Sequence, residues 1–452
     1  MEKRPTILSD KYEALIKNEG NVPAWIDTDT PEVPAIFKHF EYPVSAWPVV
    51  IDRKTAASFR EISAKLPQYL AQIPALYFDD SVKDMADFYF NGNETVTEFA
   101  LMCHKKRVEV SCRLDVVLTS EGLKVLEANI GSGIGGWQIC SFLPILRKLH
   151  PKIAELESGH EIVFRNTQYK YLEFLIDKIR QYVDDVRQEV NIYISIDDEE
   201  KTSNAYMIAF LDELMKEVLE KKGLTGGVYS GDLSSLQLIG SELFIDGKRI
   251  HGFLKMDEKE LPPEVFRAFI LDKVYWPDHL GELLNKDKRN LALLRELAEK
   301  RMFSTADNQI ILNSIPWTAI MEDKKVMFRE QEYDLVELLR SKQNQFVIKV
   351  ANGFQGINVH VGKFLSAEAW ENAIQESLGN TSYIAQEFSD SIDFWAPNSD
   401  NEWAPHKLIW GTFGFGNTYG GAFVRMSAVK TDVGVINAAA GAVEALVYES
   451  IS

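Results

Sequence analysis

Residues 113 to 129 read Arg-Leu-Asp-Val-Val-Leu-Thr-Ser-Glu-Gly-Leu-Lys-Val-Leu-Glu-Ala-Asn, and no other stretch constrains the chain as closely. Two apolar-rich runs, Leu114 to Leu118 and Leu123 to Ala128, flank the turn Ser120-Glu121-Gly122, the pattern of a β-hairpin. Gly122 stands where a three-residue loop needs a left-handed residue. With Thr119 facing Leu123 across that loop, Asp115 falls opposite Glu127 and Arg113 opposite Asn129. Side chains two apart share a strand face, so all four project to one side. Two carboxylates and an amide oxygen beside an arginine make a hard-cation site with an anion anchor, of the kind Mg²⁺ completes with water and phosphates. Charged residues on the wet face of a hairpin are also common, and the spacing leaves that alternative open. The loop that follows, Ile130-Gly-Ser-Gly-Ile-Gly-Gly136, favours the site, because small residues let backbone approach a ligand closely.

A chain of 452 residues is long enough for two or three domains or subdomains. Hydrophobic residues at 46% and charged residues at 26% describe a globular protein rather than a disordered one. The net charge of −18, from 49 basic and 67 acidic residues, argues against nucleic-acid binding, which needs a basic footprint. An acidic protein that binds a polyphosphate must gather its lysines and arginines locally, together with a cation. Cys103, Cys112 and Cys140 lack metal-type spacing and are expected as buried free thiols in a reducing compartment. No apolar signal core follows Met1, and no apolar run reaches the length of a membrane helix. A cytoplasmic location without membrane partners is therefore expected.

Along the chain, residues 1 to about 50 carry Pro23, Pro31, Pro34, Pro43 and Pro48 and predict an extended arm packed on the body. Phe59, Ile62, Leu66 and Leu70 have the spacing of a helix over 53–73. Helices are also predicted over 139–149, 169–183, 204–222 and much of 259–300. Strands at 190–196 and within 226–250, with the helix between them, suggest a small α/β unit with a partly parallel sheet. The charged run Lys286-Asp-Lys-Arg-Asn290 is expected as a solvated helix edge. From Gln345 onward strands dominate, at 346–350, 357–361, 383–388, 408–414 and 420–426, with a helix over 366–378. Trp370, Trp395, Trp403 and Trp410 are expected in the core.

Lys349 lies in a strand leading into a turn that holds Gly353, Gln355 and Gly356. Such a flap can lay its amides over phosphates while the strand lysine adds charge, although a two-glycine turn is by itself an ordinary hairpin feature. Arg425 follows Gly420-Gly421-Ala-Phe-Val, where glycines again permit close approach to an anion; a plain strand salt bridge is the alternative. Lys324 and Lys325 form a charge cluster ahead of the flap.

These parts, in this order, resemble the circularly permuted ATP-grasp proteins, including glutathionylspermidine synthase-like enzymes. The similarity runs through Arg113-Leu-Asp115, Leu126-Glu127-Ala-Asn129, Asp323-Lys324 after Pro316-Trp317, Val347-Ile-Lys349 with Asn352-Gly353-Phe-Gln-Gly356, Ala385-Gln386-Glu387, Gly420 to Arg425, and Val435 to Gly441. It spans about residues 100 to 450. The fold it implies is a permuted ATP-grasp fold of α+β and α/β character with an α/β subdomain like those preceding ATP-grasp domains. Its implied divisions are a helical N-terminal region (1–100), the metal-binding part of the large lobe (101–188), the α/β subdomain (189–300), the small lobe with the flap (301–388) and the rest of the large lobe (389–452).

The activity implied by this resemblance is Mg-ATP-dependent ligation of a carboxylate to an amine through an acylphosphate. Asp115, Glu127 and Asn129 are then the Mg²⁺ ligands, and Lys324 and Lys349 bind phosphates. Gly353, Gln355, Gly356, Gln386 and Glu387 surround the ATP. Arg425 lies near the transferring phosphoryl group, and Arg113 with the 130–136 loop positions the acceptor carboxylate. The partners implied are a small acid, free or carrier-bound, and an amine, with a homodimer as the assembly common among relatives. A small-molecule kinase and a catalytically silent ATP-binding protein are the alternatives.

Overall fold

The structure, a computed structural model, describes residues 9–18, 22–38, 40, 42–196, 201–257, 259–351, 358–380, 382–429 and 441–451. Among these residues the largest sheet has eight strands: β1 (Val49–Ile51), β2 (Ser111–Thr119), β3 (Gly122–Ile130), β4 (Ile162–Phe164), β17 (Phe394–Pro397), β18 (Trp403–Phe415), β19 (Thr418–Ala428) and β20 (Val443–Ser450). The order is β1-β20-β19-β18-β2-β3, with β17 beside β18 and β4 beside β20. Every pairing is antiparallel except that of β1 with β20. The early hairpin β2–β3 thus joins strands from the end of the chain, Asp115 pairing with Gly411 and Arg113 with Phe413.

Period-two alternation gives the sheet two different faces. On one, Leu114, Val116, Leu408, Trp410, Val424 and Val447 are buried with the helix Arg53–Leu70, whose stripe of Phe59, Ile62, Leu66 and Leu70 matches the sequence spacing. Asp52 starts this helix by accepting a 2.6 Å hydrogen bond from the Thr55 amide. Phe59 lies 5.4 Å from Trp410, ring to ring. The other face carries Phe413, Phe423 and Leu446, packed in a core with the helix Thr167–Tyr182. Arg113, Asp115 and Arg425 project on this second side, since Gly411 and Phe423 share the row of Asp115.

Three parallel strands, β5 (Glu189–Ser195), β6 (Thr225–Tyr229) and β10 (Gly252–Lys255), build the expected α/β unit, with the helix Lys201–Lys221 crossing between β5 and β6. A meander of β7 (Gln237–Ile239), β8 (Glu242–Ile245) and β9 (Lys248–Ile250) lies beside it. A four-stranded sheet, ordered β11-β16-β14-β15, comprises β11 (Thr318–Ile320), β14 (Phe346–Val350), β15 (Val359–Val361) and β16 (Tyr383–Glu387). With the hairpin β12 (Lys325–Phe328) and β13 (Gln331–Asp334) and the helices Leu335–Ser341 and Ala367–Ser377, it closes a separate core around Trp317, Phe346, Ile348 and Trp370. Among the described residues no helix is long and apolar enough to cross a membrane. All three cysteines are free and buried, as expected.

Four expectations are corrected. The 1–50 arm is not wholly extended: it holds the helix Asp10–Lys17 before the edge strand β1. The hairpin turn is shorter than expected, with Thr119 opposite Gly122 rather than Leu123. The run Lys286–Asn290 is no solvated edge, because Asp287, Lys288, Arg289 and Asn290 are all buried. Each buried group there has its own partner, which makes burial tolerable. Arg289 grips Asp287 at 2.6 Å and lies over the Phe88 ring, Lys288 pairs with Glu127, and the Asn290 amide donates to the Leu284 carbonyl. Of the four tryptophans expected in the core, Trp370 and Trp410 are buried while Trp395 and Trp403 are half-buried.

Trp410→Ala, removing a fully buried ring from under the helix, should lower the unfolding free energy by about 3–5 kcal/mol in a urea titration. A loss under about 1 kcal/mol would show that this helix does not pack there in solution.

Candidate functional site

The site is built on the β2–β3 hairpin. Gly122 takes φ +116° in the turn, and Thr119 Oγ1 closes it by donating to the Gly122 carbonyl (2.9 Å) and accepting the Glu121 amide (3.1 Å). The ladder then runs Thr119–Gly122, Leu118–Leu123, Val117–Lys124 and Val116–Val125, but resumes at Asp115–Glu127 and Arg113–Asn129. Leu126 is the extra residue of a β-bulge. Its carbonyl accepts a 2.9 Å hydrogen bond from Lys349 Nζ. One irregularity therefore keeps Glu127 beside Asp115 and turns a backbone oxygen toward the four-stranded sheet.

Asp115 holds two arginines. Arg113 Nε donates to Oδ1 at 2.9 Å, and Arg425 Nη2 donates to Oδ2 at 2.7 Å. Burial pushes this carboxyl up, but the two guanidiniums outweigh burial and hold it down at about 2. Asp115, expected as a metal ligand, is thus placed as the shared partner of Arg113 and Arg425. Asn129 satisfies both ends of its amide when Nδ2 faces Glu127 Oε1 and Oδ1 accepts from Arg113 Nη2, each at 3.2 Å. Glu127 also meets Lys288 Nζ at 3.2 Å. Among the described residues no three His, Cys, Asp or Glu side chains gather as a metal site.

From the four-stranded sheet comes Lys349 on β14, held between the Leu126 carbonyl and Gln386 Oε1, 2.9 Å from each. Gln386 on β16 is fixed in turn by donating to Thr318 Oγ1 at 3.1 Å. Burial pushes the Lys349 ammonium down to about 8, with Lys288 adding to the effect and Glu127 and Asp115 opposing it. Glu387 pairs outward with Arg329 at 2.7 Å. Lys324 pairs at 2.9 Å with Glu322, two residues away, and is not brought to the hairpin in this way. Gly353, Gln355, Gly356 and most of Val435–Gly441 lie outside the described residues.

The glycine loop wraps the arginine end. Gly131 takes φ +110°, and a Cβ there would stand 2.8 Å from Asp278 Oδ1. That carboxylate needs the space: it accepts the Ser132 amide at 2.7 Å, the Ser132 hydroxyl, and the Lys255 amide at 2.9 Å. Asp278 so ties the loop to the end of β10. The Gly135 carbonyl accepts from Arg113 Nη1 at 2.9 Å. On the sheet floor, a Cβ at Gly411 would lie 2.1 Å from the Phe423 ring and 3.0 Å from Arg113 Cδ.

Three participants escaped the sequence reasoning: Lys288, Asp278 and Glu444. The signal for Lys288 was present, since leucines on both sides of the 285–290 run mark a charged segment inside the protein. Glu444 lies near the start of the mostly apolar strand β20, opposite Arg425. Asp278 has no local signal, because only the fold brings it to Ser132. Together Arg113, Lys288, Lys349 and Arg425 meet Asp115, Glu127 and Glu444 on one face of the sheet and its approach.

No protein-family model matches this chain, and no curated protein matches its sequence. Among solved structures it is similar to a glutathione synthetase like-effector (GSS30) from Globodera pallida in apoform, with a TM-score of 0.61 and 11% identity, covering 99% of this chain and 100% of that one. A D-alanyl-alanine synthetase A from Vibrio cholerae O1 biovar eltor str. N16961 aligns at a TM-score of 0.26 and 8% identity over 50% of this chain and 68% of that one, too distant to support an argument. The full-length likeness shows a shared fold.

The depressed Lys349 gives a pH test. Between about 8 and the ordinary lysine value the unfolded chain binds the proton and the folded one does not, so folding becomes more favourable as pH rises. The stability of wild type relative to Lys349→Met should therefore rise from pH 8 to pH 10.5, by on the order of 3 kcal/mol. A difference independent of pH would remove Lys349 from the buried contact with Leu126.

Proposed function

We propose that this protein is an Mg-ATP-dependent carboxylate–amine ligase with a circularly permuted ATP-grasp fold, acting on a small acid, a peptide or a carrier-bound substrate. One observation carries the reading. A chain of net charge −18 gathers four cations, Arg113, Lys288, Lys349 and Arg425, on one face of the sheet and its approach, against three carboxylates among the described residues there, Asp115, Glu127 and Glu444. Such a local positive surplus suits a polyphosphate and a carboxylate held together.

In this reading Lys349 and Lys288 bind the phosphates. Lys288 takes the part first given to Lys324, because it reaches Glu127 and its amide donates to the Ala351 carbonyl at the end of β14, 3.4 Å away. Gly353, Gln355 and Gly356, outside the described residues, keep the phosphate-binding part that the resemblance implies, and Gln386 and Glu387 would line the nucleotide. Glu127 and Asn129 would hold Mg²⁺, being neighbouring oxygen donors on one strand face, the ligand type that this ion favours. The bound ion supplies charge neutralisation as the phosphoryl group is transferred. Asp115 fixes the two guanidiniums instead of binding the ion.

Arg113, steadied by the Gly135 carbonyl, and the 130–136 loop hold the acceptor carboxylate. Its oxygen takes the terminal phosphoryl group, ADP departs, and the amine displaces phosphate from the acylphosphate. Arg425 steadies the charge that builds on the phosphoryl oxygens. No covalent enzyme intermediate is required, so positioning and electrostatics carry the catalysis.

The direct test is ADP release from a panel of amino acids, short peptides and amines. Release that depends on both acid and amine, or hydroxamate formation with hydroxylamine, is expected; a stable phosphorylated product without amine would make the protein a kinase. Glu127→Gln should lower turnover by about 100-fold or more with the fold intact. Lys288→Ala should raise the KM for ATP about tenfold, while Lys324→Ala leaves it within about twofold. The reverse order would return the phosphate role to Lys324.

A further inference from the structure

Among the described residues, Glu444 is the carboxylate of this face that no part of the proposed chemistry uses. It lies on β20 directly opposite Arg425 on β19, and paired residues of antiparallel strands project to the same side. It therefore faces the same space as Arg425 and Asp115, whereas Glu449, five residues on, points to the other side and is held by Arg60 and Arg165. Glu444 is 5% exposed, and its Oε2 is buried without a hydrogen-bond partner among the described residues. A buried acceptor left open is costly to a fold, so an open carboxylate oxygen at the arginine end of the site calls for a reason.

We infer that Glu444 takes the proton from the attacking ammonium group, which deepens the ligase reading and rests on it. An ammonium cannot attack an acylphosphate until it loses a proton. Glu444 Oε2 accepts that proton, leaving a neutral amine. The nitrogen lone pair forms the C–N bond, the C–O bond to phosphate breaks, and the second nitrogen proton leaves with the phosphate. Glu444 then returns its proton to water. Burial pushes the carboxyl up to about 7, against the pull of Arg425 and Arg113. Both guanidiniums are held by Asp115, and Glu127 lies within electrostatic reach of Arg425. Among the described residues, the segment Pro43–Ser45, β1, β4 and the turn Trp137–Phe142, which also border β20, add no charged side chain, while the helix Arg53–Leu70 packs on the opposite face, where Arg60 pairs with Glu449. A proton acceptor works best when its own value lies near the working pH.

Hydroxylamine separates this role from a structural one, because it is already uncharged at pH 7 and needs no acceptor. A pool of amino acids and dipeptides with Mg-ATP supplies the ordinary ammonium groups, with and without added hydroxylamine. In Glu444→Gln, amide formation should fall about 100-fold at pH 7 while hydroxamate formation stays within about threefold of wild type. In wild type, amide formation should rise through pH 7 and hydroxamate formation should not. Equal losses in both reactions, or no loss in either, would overturn the proton-transfer role and leave the ligase reading standing. A wild type that makes neither product would overturn both. Infrared difference spectra need no substrate: a protonated-carboxyl band that titrates near pH 7 and is missing in Glu444→Gln is expected, and its absence from wild type would overturn the assignment.

Discussion

The buried ammonium of Lys349 joins the two halves of the site, and most of the other contacts depend on where it goes. It leaves β14 of the small sheet and ends on the Leu126 carbonyl of the large one, with Gln386 beside it. That carbonyl is available only because Leu126 is bulged out of the β2–β3 ladder. An ammonium is expensive to bury without oxygen partners, so the bulge and Gln386 are conditions for its presence. The lowered affinity of Lys349 for its proton is the mark of the remaining cost.

Charge is organised around this contact in two layers. Asp115 binds Arg113 and Arg425 into one unit, and Glu127 holds Lys288. Removing either carboxylate leaves buried or half-buried cations facing one another, a more severe change than losing an exposed pair. The glycines serve the same arrangement. Gly411 makes room for Phe423 and Arg113, and Gly131 makes room for the Asp278 carboxylate that anchors the loop. The acidic surface of the chain and its basic site are therefore compatible, since the cations are collected from strands β2, β14 and β19 and from the buried 285–290 run.

Much of this was legible in the residues. Alternation placed Arg113, Asp115, Glu127 and Asn129 on one face, and the strand carrying Lys349 was recognisable before its glycine turn. The hairpin register was reached through two errors of one residue that cancel: the turn is one residue tighter than the glycine suggested, and the bulge restores the offset. Neither Ser120-Glu121 nor Leu126 announces this locally, because a bulge is decided by what approaches the strand from outside. By sequence Lys324 stands out as a lysine before the flap, while Lys288 reads as part of a wet charged run. Burial of that run depends on Phe88, Glu127 and Asp287 supplying partners, and pairing across distant segments leaves no local pattern.

The sequence by itself determined the elements: a helix where apolar residues recur at three and four, strands where they alternate, a hairpin presenting polar groups on one side, and a glycine loop after it. Those follow from local geometry and from the need to hide apolar surface, both of which are written residue by residue. Tertiary structure alone decided the company those groups keep. Asp115 became an arginine clamp, Lys349 reached a carbonyl more than two hundred positions away, and Glu444 was set opposite Arg425 with an open oxygen. Electrostatic roles depend on distances of a few ångströms between segments far apart in the chain, and those distances exist only once the sheet has formed.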